Sequence, residues 1–137
     1  MKPKEYLSQI RRLEWSIYLN QEAIERVRTR MDLKGISYDT VRVQSSPEDS
    51  MPDLVACLIR LEEVTETKRN ELDRLYTVIT EQISGMDDIL DQKLLYKHYV
   101  KNMSLGAVAN DLHYSYDWIK HRHGIALQRF GEKYGPF

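Results

Sequence analysis

The sequence predicts an all-α fold: a long antiparallel helical hairpin of coiled-coil type over residues 1–84, then a small three-helix domain over 86–131, then a tail over 132–137. Three observations carry this. Two long stretches place apolar residues at alternating steps of four and three, the pattern of a helix buried along one narrow stripe. Ser104 and Ser115 each stand just before an apolar run of helical spacing, where a hydroxyl can accept from the unpaired N–H groups of a first turn. Period-two alternation, the mark of a half-buried strand, is nearly absent; only Tyr38 to Val43 leans that way.

Pro3 suits the first turn of the opening helix, because its fixed φ is helical and its missing N–H would be unpaired there anyway. Tyr6, Ile10, Leu13, Ile17, Asn20, Ile24, Val27 and Met31 then form a seam with one polar member. Charged residues flank it, and Trp15 and Tyr18 lie beside it. From about Leu33 to Met51 the pattern stops, which predicts a long mobile connection with a short strand conceivable at Thr40 to Val43.

Ser50 opens the next helix, with Pro52 in its first turn and Asp53 three residues after the cap. Its seam runs Leu54, Leu58, Leu61, Thr65, Lys68, Leu72, Leu75 and Ile79. Folded back on the first helix, Met31 would meet Leu54, Leu13 would meet Leu72, and Asn20 would meet Thr65. The two polar breaks then share one layer, a device that weakens a seam but penalises slipped registers. A parallel dimer pairing Asn20 with Asn20 is the alternative. Trp15, Tyr18, Val55, Ile59 and Val64 remain outside the seam, so a homo-oligomer through these helices stays open.

Gly85 should stop the second helix and Asp87 should cap a third, whose inner face is Ile89, Leu90, Leu94, Leu95, Tyr99 and Val100. After Ser104, the residues Leu105, Val108, Ala109 and Leu112 give a short amphipathic helix. His113, Tyr114 and Ser115 break it, and a longer helix follows with Trp118, Ile119, Ile125, Ala126 and Phe130 as its apolar members. Steeply crossed helices joined by so short a turn need a small side chain at the contact, and Ala109 supplies one. The spacing is that of a helix-turn-helix. One departure is His113, at a turn position that favours glycine; histidine tolerates positive φ better than most residues.

In a helix-turn-helix the second helix lays its N-terminal residues along the major groove of double-stranded DNA. Ser115, Tyr116, Asp117, Lys120 and His121 are the candidates for that end, with Arg122 and Arg129 nearer phosphate or neighbouring protein.

Val108-Ala109, His113-Tyr114-Ser115 and Ile119-Lys120-His121-Arg122 together resemble the last DNA-binding region of bacterial sigma factors, region four. With His123-Gly124-Ile125-Ala126-Leu127 added, the chain resembles phage-encoded late-gene activators of the RinA and ArpU type. The likeness rests on motifs in the last third of the chain and on architecture elsewhere. It implies a sequence-specific transcriptional regulator from a phage or prophage, acting on promoter-proximal DNA with host RNA polymerase, in the cytoplasm of a bacterial host.

Composition fits a binding protein. Apolar residues make up 42% of the 137 and charged residues 30%, an ordinary balance for one domain or module. The net charge of −1 hides an asymmetry: residues 93–137 hold seven Lys or Arg against three acids, and the first 92 hold 13 against 18. A basic end and an acidic end suit a protein that touches phosphate on one side.

Cys57 has no partner for an intramolecular disulfide, and no stretch reads as a signal peptide or membrane span. No phosphate loop, His-Glu-x-x-His, cysteine pair or nucleophile elbow is present, so neither enzyme activity nor a cofactor or metal is expected. Two other functions remain compatible: a small terminase subunit that marks viral DNA for packaging as an oligomer, and a coiled-coil adaptor that binds protein and never meets DNA.

Overall fold

Capping serines and aspartates divide the chain. In the computed structural model, which describes the backbone of residues 1–37 and 50–137, the described residues form helices and no strand. In order they are α1 (Pro3–Leu7), α2 (Gln9–Ser37), α3 (Met51–Ser84), α4 (Ile89–Leu95), a π-helical turn (Tyr96–Val100), α5 (Leu105–Leu112) and α6 (Tyr116–Tyr134). The fold is all-α. The strand considered at Thr40 to Val43 lies outside the described residues, while α2 runs on through Leu33 to Ser37, past the expected break.

Each boundary has a local cause. The Ser50 hydroxyl accepts from the Asp53 N–H (3.4 Å) and donates to the Asp53 carboxylate (2.6 Å). Asp88, not the neighbouring Asp87, caps α4, accepting from the N–H groups of Leu90 (2.8 Å) and Asp91 (3.3 Å). Ile89, the first residue of α4, is 66% exposed instead of inside, while Leu90, Leu94, Leu95, Tyr99 and Val100 of the expected inner face are buried or half-buried. The helix after α4 widens, with the Lys101 N–H bonded to the Tyr96 carbonyl five residues back (3.1 Å).

The chain forms two compact units, 14–71 and 1–13 with 72–137, a division different from one that cuts after residue 84. In the first, the seam residues Ile17, Ile24, Val27, Leu54 and Thr65 are buried, and Asn20, Met31, Leu58, Leu61 and Lys68 half-buried. Lys68 Nζ donates to the Ser16 hydroxyl (2.6 Å), and Arg28 pairs with Glu62 (2.8 Å). An early residue of α2 thus meets a late one of α3 and a late one meets an early one, so the two chain directions oppose. The Thr65 hydroxyl donates to the Leu61 carbonyl of its own helix (2.6 Å); a part-buried polar crossing between the helices is the Ser16–Lys68 contact, the Arg28–Glu62 pair being exposed. Trp15 and Tyr18, 60% and 50% exposed, stack on each other at 5.3 Å.

The second unit wraps several short elements around one core: Leu7 and Ile10, then Leu75, Ile79 and Ile83, then Leu94, Leu95 and Tyr99, closed by Val108, Ala109, Ile119, Ala126 and Phe130. Tyr6 donates to the Gln82 side chain (2.7 Å), tying the chain start to the end of α3. Gly131 does not end α6. A Cβ there would lie 2.7 Å from Pro3 Cγ, so glycine is needed because α1 presses against the helix. Nor are residues 132–137 a tail: α6 continues to Tyr134, and the Phe137 ring stacks on Tyr6 at 4.2 Å and lies 5.7 Å from Phe130. Apolar area decides this, since three aromatic rings bury together what a frayed end would leave in water.

Candidate nucleic-acid interface

The helix pair α5 and α6 follows from three local devices. The Ser104 hydroxyl accepts from the Ala107 N–H (3.1 Å) and the Ser115 hydroxyl from the Trp118 N–H (3.2 Å), so each helix starts on its serine. Between them His113 takes φ 63°, ψ 39°, the left-handed conformation that ends a helix. The Tyr114 N–H then reaches the Ala109 carbonyl (3.0 Å) and the His113 N–H that of Asn110 (3.4 Å). Ala109 is buried in the crossing, with Val108 and Ile119 beside it.

One face of α6, carrying Ile119, Ala126 and Phe130, is buried. Ser115, Tyr116, Asp117, Lys120 and His121 are exposed at its start, with Ser115 also serving as the cap. Among the described residues Lys120 has no ion pair. Tyr114, Tyr116 and Trp118 add exposed aromatic rings, 45%, 51% and 42% accessible. Exposed apolar rings can make contact with a base methyl group.

Of the two expectations for Arg122, phosphate or neighbouring protein, the structure shows protein, its side chain only 13% exposed. Its Nε donates to Asp91 Oδ1 (2.8 Å) and a terminal nitrogen to Asp88 (2.7 Å). Arg129, half-exposed, donates to the other Asp91 oxygen (2.9 Å). The two guanidiniums therefore clamp one buried carboxylate, and α6 is fastened to α4 by its charges as well as by its apolar face. Burial alone would lower the Arg122 pKa, but the bonds to Asp91 and Asp88 raise it. Burial likewise pushes the Asp88 carboxyl up, and the backbone N–H groups of Asp91 and Leu90 with Arg122 outweigh it and hold it low. Asp91 had one signal in the sequence: an acid among the apolar residues Leu90, Leu94 and Leu95. Its partners, 31 and 38 residues away, could not be named from it.

The basic excess of the C-terminal part is partly spent internally. Besides the two arginines, Lys97 pairs with Asp111 (2.6 Å) and Lys133 with Asp87 (3.4 Å). Lys93, Lys101 and Lys120 are the exposed cations of 93–137 without an ion pair among the described residues.

Behind α6 lies a half-buried cluster. His98 donates from Nδ1 to the Met103 carbonyl (2.7 Å), and the Tyr99 hydroxyl lies 2.7 Å from His123 Nε2. The two imidazoles are 5.2 Å apart. Burial, then His98 and Lys4, push the His123 pKa down to about 4; burial also lowers His98, against the Met103 bond, and raises Tyr99 to about 12. His123 is therefore a neutral packing residue near pH 7, and His121 is the exposed histidine of α6.

No three His, Cys, Asp or Glu side chains gather as a metal site among the described residues, and none of the described helices is long and apolar enough to cross a membrane. No family model, curated protein or solved structure matches the chain.

Proposed function

We propose that the chain is a sequence-specific DNA-binding regulator of transcription, of the phage late-activator kind that its motifs resemble, using the start of α6 to read double-stranded DNA. One observation carries the reading: two serine-capped helices joined by a three-residue turn leave Tyr116, Asp117, Lys120 and His121 exposed while Arg122 and Arg129 hold the opposite flank of the helix against Asp91. A reading helix needs that division of labour, because a side chain can discriminate bases only when the backbone carrying it is held still. Lys120 is the residue assigned to a base edge. Host RNA polymerase is the proposed second partner, met through the acidic helices of residues 14–71.

The test compares wild type with Lys120→Ala on a preferred and an unrelated duplex. Loss of a base contact should weaken the preferred complex by about 1–3 kcal/mol and barely change the unrelated one. Affinity of the wild type should fall steeply with salt. Salt-insensitive or undetectable binding to every duplex would remove the reading. The adaptor function would then take its place, favoured by the exposed Trp15, Tyr18, Leu19 and Ile59 of α2 and α3.

A further inference from the structure

Glycine is among the least favourable residues in a helix interior, because it loses the most backbone freedom on folding. Each glycine inside a well-formed helix therefore asks for a reason. Gly131 has one in Pro3. Gly124, seven residues earlier in α6 and exposed, has none inside the molecule: a Cβ built on it meets no atom within 4 Å, and its backbone is ordinary right-handed helix.

Its position in the helix supplies the missing reason. Asp117, His121, Gly124 and Gln128 follow at steps of four, three and four, so they share one face, and all four are exposed. Helical rotation sets this face opposite the buried one of Ile119, Ala126 and Phe130. A helix with its side chains is about 10–12 Å across, and the major groove of B-DNA is about 12 Å wide. Such a helix fits only tightly, and a side chain at the middle of the leading face holds its axis away from the groove floor. A glycine there lets the axis settle deeper by about one bond length, ~1.5 Å. That displacement decides whether Lys120 and His121, one turn earlier, reach base edges.

Resting on the DNA-binding reading, we infer that Gly124 is the point of closest approach between α6 and the duplex, and that the absent side chain is a condition for base readout. The glycine sets depth, and Lys120 and His121 on the preceding turn do the reading.

The experiment uses the full chain, with a duplex selected by the wild type from a random-sequence pool and an unrelated duplex of equal length. Gly124→Ala should raise Tm by a few degrees, since alanine favours the helix and meets nothing. The same substitution should weaken the selected complex tenfold or more and leave the unrelated one within about twofold. Gly124→Leu should weaken the selected complex further. Stability and affinity moving in opposite directions is the signature. Unchanged affinity for the selected duplex overturns the inference and leaves the DNA-binding reading standing. A lowered Tm in Gly124→Ala also overturns it, since the glycine would then serve the fold. A wild type that selects no duplex removes the DNA-binding reading itself.

Discussion

The unit of residues 14–71 and the unit of 1–13 with 72–137 solve the same problem with different means. In the first, two helices can cover each other only along a seam. Among the described residues four apolar side chains there are buried (Ile17, Ile24, Val27 and Leu54), while Trp15, Tyr18, Leu19, Ile59 and Val64 stay in water. The second draws on the ends of α2 and α3 and on every short helix, and fourteen apolar residues form one buried cluster. That surround buries even a carboxylate, Asp91, which is 0% exposed, because two arginines offset the cost of taking it out of water. Two helices alone bury a seam; a multi-element core can hold one helix, α6, in a fixed orientation.

The largest effect that would test this contrast is expected at Asp91. Asp91→Ala leaves Arg122 partly buried with Asp88 as its remaining acid partner, and leaves Arg129 only the longer contact to Asp88 at 3.7 Å. Removing one partner of a buried pair costs about 3–5 kcal/mol, and the surviving Asp88 contact argues for the lower end. Equilibrium urea denaturation measures it. A cost under about 1 kcal/mol would show that apolar packing alone fastens α6.

Acid should separate the units next. His123 has a folded pKa of about 4 against an ordinary 6.5, and His98 is also lowered. The folded state thus prefers neutral imidazole, so the stabilisation is complete above pH 6.5 and is lost as pH falls towards 4. The groups facing His123 are Tyr99, through its hydroxyl, and His98; after burial, His98 and Lys4 disfavour its charged form, and Arg11 and Lys4 act likewise on His98. Because water reaches part of the imidazole, the loss should be on the order of 1–2 kcal/mol rather than the full value of the shift. Asp88 and Asp111, lowered from 3.8, add their own loss only at the acid end, below about pH 5. His123→Gln should remove more than half of the slope between pH 6.5 and 4.5, followed by urea midpoints. An unchanged slope would place the acid sensitivity elsewhere.

What the sequence revealed divides along the same line. The seams of α2 and α3 were legible because they rest on local period, and each of their named residues is buried or half-buried. The turn was legible too, down to histidine as a residue able to take positive φ, because serine caps and short turns are local chemistry. Asp87 against Asp88 was not, since two adjacent aspartates offer the same cap and the packing of α4 chooses. Gly131 and residues 132–137 looked like a stop and a tail because the reasons for their order, Pro3 and Tyr6, lie at the other end of the chain. Of the candidate site, Ser115, Tyr116, Asp117, Lys120 and His121 are exposed where spacing put them. Arg122, expected at phosphate or neighbouring protein, meets protein; that its partner is Asp91 was not legible, since no periodicity encodes a residue 31 positions away.

The smallest predicted effect sharpens the comparison from the two-helix side. Thr65 is 1% exposed in the seam, and its hydroxyl spends its proton on the Leu61 carbonyl, which already accepts from the Thr65 N–H of the same helix. Thr65→Val keeps the shape and leaves no group unpaired, since the helical N–H still serves that carbonyl. The buried hydroxyl is exchanged for a methyl, so stability should rise by about 0.5–1 kcal/mol, read as an upward shift of Tm. If Thr65 were instead bonded across the seam to Asn20, the same change would strand a half-buried amide and stability would fall. The sign alone therefore decides whether the polar link of residues 14–71 runs through Thr65 or through Ser16 and Lys68.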